Sequence, residues 1–118
     1  MEDVAESGVT IGSEHMSQYK VDFNSIPWET PMDGLRFRAF RHGDRQLRLV
    51  EYTRDMAPHW CEKGHVGCIL DGEFEIQFER DTVVFRAGDG VFIPSGPEHK
   101  HMGKTRTDVV RAVFVEAV

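Results

Sequence analysis

Apolar and polar residues alternate along most of the chain from Tyr19 onward, in short segments that end at Gly, Pro or charged residues. The clearest segment is EFEIQFE, in which Phe74, Ile76 and Phe78 share one face and acidic or amide side chains share the other. A period of two is typical of β-strands with one face on a core and one in water. The pattern therefore predicts an all-β chain of short strands.

The runs 35–39 and 46–49 also alternate, and RHGDR joins them as a hairpin-type turn. In the second run we expect Leu47 and Leu49 to face the core and Arg48 to face water. Regularly spaced short strands favour a sandwich or a small barrel, which leaves a cavity lined by inward-facing residues. Seven apolar residues are predicted to form the core or line that cavity: Phe37, Leu49, Phe74, Ile76, Phe85, Phe92 and Val113. Glu51 and Tyr52 are polar candidates for the same lining, and Arg48 is an alternative candidate if it faces the cavity instead of water.

Length and charge restrict the partners of the chain. Its 118 residues suffice for one domain with its own core. The net charge is −6, and no Lys or Arg cluster forms a stripe that could follow phosphates, so we expect no nucleic-acid partner. No run of eighteen apolar residues is present, so we expect no membrane partner.

The first residues, MEDVAESGVT, are acidic and contain no apolar run, which differs from a secretory signal. We therefore expect a cytoplasmic protein. The polar segment 1–18 is predicted to be a flexible N-terminal segment, and residues 19–118 are predicted to form the β domain.

The stretch 58–72, PHWCEKGHVGCILDG, concentrates the metal-ligating residue types. His59 and Cys61 are two residues apart, so in a strand their side chains point the same way. His65 opens the predicted strand HVGCIL, whereas Cys68 is out of phase with His65 and is interpreted as a packing residue. In a reducing compartment a structural disulfide is not expected, so the thiols are free or metal-bound.

A second cluster lies downstream in GDGVFIPSGPEHKH. Its Pro94-x-Gly96 turn is followed by His99 and His101, which also share a strand face. Each histidine alone is unremarkable, but the two clusters on a strand-rich background predict a metal site.

The chain from about residue 28 to residue 115 resembles the cupin superfamily. The second cupin motif is Gly-x5-Pro-x-Gly-x2-His-x3-Asn, and Gly88, Pro94, Gly96 and His99 match its first four fixed positions. At the last position Gly103 replaces Asn. The phrase CILDGEFEI is also similar to one that often follows the first motif in small cupins. The resemblance implies a single-domain, cupin-type double-stranded β-helix, or jelly-roll barrel.

The first motif, Gly-x5-His-x-His followed by Glu-x6-Gly, is altered. Thr53 stands in place of the opening Gly, Cys61 in place of the second His, and His65 in place of Glu. The resemblance therefore implies four metal ligands: His59, Cys61, His65 and His99. His101 and Glu62 are additional candidates. Three imidazoles and a thiolate carry the same formal charge as the usual three imidazoles and a carboxylate. A softer ligand favours Zn²⁺ or Fe²⁺, with Ni²⁺ and Co²⁺ compatible.

Three functions stay open at this point. The resemblance implies a metal-dependent enzyme acting on a small molecule, with dioxygenase or other oxidoreductase chemistry or isomerase chemistry. With Fe²⁺ the site would be similar to that of thiol dioxygenases, and with Zn²⁺ it would act as a Lewis acid. The alternatives are a non-catalytic ligand-binding or sensor cupin with a closed metal site, and a cupin without metal. The resemblance also implies a homodimer.

Overall fold

The computed structural model describes residues 19–118, so the segment 1–18 and the prediction made for it lie outside the described residues. The described chain forms nine strands: β1 Glu29–Met32, β2 Leu35–His42, β3 Arg45–Thr53, β4 His65–Asp71, β5 Glu73–Gln77, β6 Thr82–Arg86, β7 Gly90–Ile93, β8 Met102–Thr105 and β9 Val109–Ala117. Short 3-10 helices occupy Phe23–Ser25 and Pro97–His99. No helix within residues 19–118 is long and apolar enough to cross a membrane.

The strands form two antiparallel sheets that pack on each other. The larger sheet has the order β1-β2-β3-β9-β4-β7, and the smaller one has the order β6-β5-β8. The core between them is apolar and includes Val50, Ile69, Phe74, Val91 and Phe114. The prediction of an all-β jelly-roll architecture is confirmed.

Two tight turns set the register that the sequence pattern indicates. The β2–β3 hairpin turns within RHGDR, where Gly43 has a φ of +61° and His42 pairs with Arg45. Gly72, with a φ of +84°, joins β4 to β5. A Cβ atom there would collide with the backbone oxygen of Val109, so this turn requires glycine.

The prediction for the phase of β3 was wrong. Gln46 and Arg48 are buried together with Val50, whereas Leu47 and Leu49 are only half-buried on the opposite, outer face of the sheet. Apolar residues occupy both faces of this strand, so hydrophobicity does not select the buried one. The buried face is the one on which Gln46 and Arg48 donate hydrogen bonds to the inward carboxylate of Glu116.

An apolar row crosses the outer face of the larger sheet. Register places five side chains side by side on β2, β3, β9, β4 and β7: Phe40, Leu47, Val115, Val66 and Phe92. Phe92 is 77% exposed, so its predicted place in the core was wrong. We call these five residues the outer apolar row.

Candidate metal centre

A cavity of about 200 Å³ lies between the sheets. Its lining is largely apolar, but several polar side chains also face it: Arg48, Tyr52, His59, Cys61, Lys63, His65 and His101. The predicted cavity lining is thus confirmed for Arg48 and Tyr52. Glu51 instead binds Arg36 and Arg111 on the outer face.

Backbone pairing places Cys61 beside His101. The amide of Cys61 donates to the carbonyl oxygen of His101 at 2.8 Å, and the amide of His101 donates back at 2.9 Å. This isolated antiparallel bridge ties the segment before β4 to the residue before β8. Directly paired residues of an antiparallel ladder point to the same side, so both side chains face the cavity.

His65, the first residue of β4, brings a third donor to the same point. Its ring lies 5.2 Å from the ring of His101, centroid to centroid, in an edge-on arrangement. One ligand atom from each of Cys61, His65 and His101 lies within 4.8 Å of the others. A thiol and two imidazoles therefore converge from three different segments of the chain.

Second partners fix the orientation of both rings. Nδ1 of His65 donates to Glu116 Oε2 at 2.9 Å, and Nδ1 of His101 donates to the backbone oxygen of His99 at 2.9 Å. With Nδ1 protonated, the lone pair of each neutral ring is on Nε2. This is the arrangement in which metal-ligating histidines are usually held. Nε2 of His101 is buried and has no hydrogen-bond partner among the described residues.

Glu116 organises the polar side of the cavity. Besides His65, it accepts a hydrogen bond from Arg48 Nη2 at 2.8 Å and one from Gln46 Nε2 at 3.4 Å. Lys63 Nζ lies 3.7 Å from Oε1 of Glu116. The carboxylate side chain is only 2% exposed, so these partners replace the water that a buried charge requires.

The environment favours the anionic forms of Cys61 and Glu116 and the protonated form of His65, whose Nε2 proton a bound metal ion would displace. The His101 and His65 rings lie beside the Cys61 thiol, and their interactions with it outweigh burial and lower the pKa of Cys61 to about 5. Burial opposes ionisation of Glu116, but the hydrogen bonds from His65 and Arg48 outweigh it and lower the pKa of Glu116 to about 2. Burial also disfavours the charged form of His65, yet its contacts with Cys61 and Glu116 raise the pKa of His65 above the usual value.

These residues fit a divalent transition metal. A thiolate and two neutral imidazoles are ligands that Zn²⁺ and Fe²⁺ accept, and the buried, partnerless Nε2 of His101 lacks the partner that a metal ion would supply. Three protein ligands also leave at least one coordination position for water or a ligand.

The structure brings Cys61 and His65, two of the four predicted ligands, together with the additional candidate His101. His59 lines the same cavity from an exposed position, with Nδ1 3.1 Å from the oxygen of Ala57. His99 ends the 3-10 helix, and its backbone oxygen holds His101. Glu62 is exposed and contributes a backbone oxygen to the amide of Gly96. The four-ligand set stays a prediction.

Glu116 was missed by the sequence reasoning, although a signal for it exists. Val110, Ala112 and Phe114 are the buried positions of β9, and Glu116 is the next residue of the same parity. A carboxylate in a buried series requires cationic partners. Arg48 is the buried cation of the neighbouring strand that meets this need.

Comparison with solved structures identifies the fold. An RmlC-like cupin from Shewanella frigidimarina matches with a TM-score of 0.64 and 19% identity, covering 86% of this chain and 93% of that one. The cupin domain of Cnp3 from Schizosaccharomyces pombe matches at 0.66 and 17%, covering 85% and 69%. KdgF from Halomonas sp. matches at 0.56 and 21%, covering 75% and 84%.

No family model matches the chain, and a search of curated proteins gives no match either. The structural matches are below 25% identity, so they define the fold. The chain has the fold of a small cupin, as its second sequence motif indicates.

Proposed function

We propose that this chain is a metal-binding cupin in which Cys61, His65 and His101 hold a divalent transition metal. The observation that carries the proposal is the convergence of these three donors on one point, with Nε2 of His101 buried and otherwise without a partner. Zn²⁺ and Fe²⁺ suit the donor set best, and Ni²⁺ or Co²⁺ are compatible with it.

The cavity beside the three donors is the proposed place of a small-molecule substrate. Its volume of about 200 Å³ is below the roughly 300–1,000 Å³ of sites for drug-sized ligands. A bound metal would act as a Lewis acid or support oxidoreductase or isomerase chemistry. The apolar walls exclude water, while Glu116 holds His65 in the tautomer whose Nε2 is free.

A second function, a non-catalytic binding module, is favoured by the position of His59. This residue lines the same cavity, and a fourth protein ligand would close the coordination sphere as in structural zinc sites. Replacement of His59 separates the two functions. We expect His59→Ala to keep stoichiometric metal if the site is open and to lose affinity if the site is closed.

The test of the metal site is metal content by plasma mass spectrometry on untagged protein purified without chelators. We expect about one metal per chain, lost in Cys61→Ala and in His101→Ala. Cys68→Ala is the matched thiol control, because Cys68 lies on the outer face of β4, where it pairs with Val113. His99→Ala is the matched imidazole control.

Loss of metal in His99→Ala with retention in His101→Ala would overturn the proposed ligand set in favour of the motif-based one. Metal at no more than trace level in the wild-type chain, even after anaerobic reconstitution with Zn²⁺ or Fe²⁺, would overturn the metal site itself.

We also propose that two copies of the chain pair through the outer apolar row. Phe92, Val66 and Val115 are 77%, 41% and 44% exposed on one face of the larger sheet. Nearby on that face, Arg36, Glu51, Arg111 and Asp71 pair with one another, so the apolar row can pack on a two-fold copy of itself without leaving these charges unpaired. Sedimentation equilibrium is expected to give a dimer for the wild type and a monomer for Phe92→Ser. A monomeric wild type would contradict the pairing.

A further inference from the structure

Tyr52 presents a hydroxyl to the cavity for which the described residues provide no hydrogen bond. The residue is only 7% exposed, and it lines the cavity that contains the three donors. Its ring stacks on Phe74 with a centroid separation of 4.4 Å, which fixes its orientation. A buried tyrosine hydroxyl usually has a partner. The Tyr52 hydroxyl is therefore available to a ligand in the cavity.

Arg48 lies two residues earlier on the same face of β3. The whole residue is 9% exposed and lines the cavity. Its guanidinium carbon Cζ lies 4.7 Å from the centroid of the Phe37 ring. Only Nη2 of Arg48 has a hydrogen-bond partner, the carboxylate of Glu116, and the buried Nε has none. Donors of the guanidinium are therefore left over after the ion pair is made.

The formal charge of the loaded site favours an anion. Arg48 and Glu116 cancel, and the thiolate of Cys61 neutralises half of a divalent charge. Lys63, half-exposed and also lining the cavity, adds a further positive charge. A site with net positive charge and apolar walls selects a small anion over a neutral molecule.

We propose that Tyr52 and Arg48 form a subsite for the carboxylate of a small organic acid whose other end reaches the metal held by Cys61, His65 and His101. The subsite rests on the proposed function for the metal end of the ligand. A carboxylate matches the planar donors of one arginine, and the tyrosine hydroxyl donates to it as well. Tyr52 and Arg48 are thus substrate-positioning residues.

The test is isothermal titration of the Zn²⁺-loaded protein with glycolate, glycolamide and inorganic phosphate. Glycolamide has the size of glycolate without its charge, and phosphate tests the carboxylate class. Tyr52→Phe is the main variant because it removes one hydroxyl and keeps the stack on Phe74. Arg48→Lys keeps the charge but loses the planar fork, and Arg36→Lys is its control on the outer face of the neighbouring strand.

We expect glycolate to bind at least about tenfold more tightly than glycolamide or phosphate, because hydrogen bonds to charged groups have this magnitude. Tyr52→Phe and Arg48→Lys should each weaken glycolate about tenfold, and Arg36→Lys should not. Equal affinity for glycolate and glycolamide, tighter binding of phosphate, or wild-type affinity in Tyr52→Phe would overturn the subsite.

A failure of the metal site is distinguishable from a failure of the subsite. If the chain takes up no Zn²⁺, the same titration on the metal-free protein decides the matter. Glycolate binding that is lost in Tyr52→Phe then supports the subsite without the metal, and no glycolate binding overturns it.

Discussion

Two glutamates on opposite faces of the larger sheet have similar ion pairs but different surroundings. Glu51 on the outer face binds Arg36 and Arg111, which are 44% and 47% exposed. Glu116 on the inner face binds Arg48, which is 10% exposed, and its own side chain is 2% exposed. In the outer network the Glu51 side chain is 9% exposed but both its arginine partners reach water, whereas in the inner one the carboxylate and Arg48 are both enclosed with the donors of the proposed metal centre.

The difference lies in what each network leaves without a partner. On the inner face, the buried Nε of Arg48 and Nε2 of His101 lack partners among the described residues. Buried polar groups without partners destabilise a fold, and in a cavity a ligand can supply the missing contacts. The outer network is consistent with a structural role and the inner one with a site.

The largest expected effect is that of Glu116→Gln. Removing one partner of a buried ion pair destabilises a protein by about 3–5 kcal/mol. The same change replaces the charged acceptor that orients His65 by a neutral amide, and loss of such a partner weakens metal binding about 10- to 100-fold. Urea unfolding and a zinc titration measure the two effects. Glu51→Gln is the matched control, and equal losses of stability in the two variants would contradict the contrast between the faces.

Metal binding is expected to stabilise the fold by the next largest amount. Free Zn²⁺ at about 100 times its Kd should raise the free energy of unfolding by about 2.7 kcal/mol. The increase should vanish in Cys61→Ala and persist in Cys68→Ala, and it should fall at acidic pH because protons compete for the thiolate and imidazoles. Stabilisation that survives in Cys61→Ala would remove the thiolate from the ligand set.

Glu51→Gln should cost about 1 kcal/mol or less in low salt, because ion pairs with exposed partners contribute little. Salt at about 1 M screens exposed charges, so the difference between wild type and Glu51→Gln should shrink there. The difference caused by Glu116→Gln should persist in the same buffer. A salt response of equal size for both variants would show that the two networks are equally exposed.

The pH dependence of the Glu51 network has a defined sign. Burial works against its ionisation, but Arg36 and Arg111 prevail and hold the pKa of Glu51 below the usual 4.5. A lowered pKa in the folded state gives stability that is present above the unfolded-state value and is lost as the pH falls through the folded-state value. The stability difference between wild type and Glu51→Gln should therefore narrow below about pH 4.5. A difference that widens there would contradict the lowered pKa.

The sequence predicted the strands well because period-two alternation and turn residues act locally. EFEIQFE, RHGDR and the start of β4 at His65 all occur where the pattern indicated them. It failed for β3, where Leu47 and Val50 compete for burial on opposite faces. The choice between the faces depends on Glu116, which lies 68 residues from Arg48 along the chain.

The candidate site was predictable in its segments but not in its full set of residues. The residue spacing of the motif indicated His99, but spacing carries no information about backbone conformation, and Pro97–His99 form a 3-10 helix. That helix ends before His101, which is the residue that pairs with Cys61. Which histidine faces the cavity is thus decided by a backbone pairing between distant segments.

The smallest expected effect on stability is that of Tyr52→Phe. No hydrogen bond joins this hydroxyl to the described residues, so its removal breaks no hydrogen bond within the protein. We expect the free energy of unfolding to change by less than about 0.5 kcal/mol, or to rise. Glycolate affinity should nevertheless fall in this variant. Stability that drops by about 1 kcal/mol or more would indicate that the hydroxyl has a structural partner, and the inner face would then resemble the outer one.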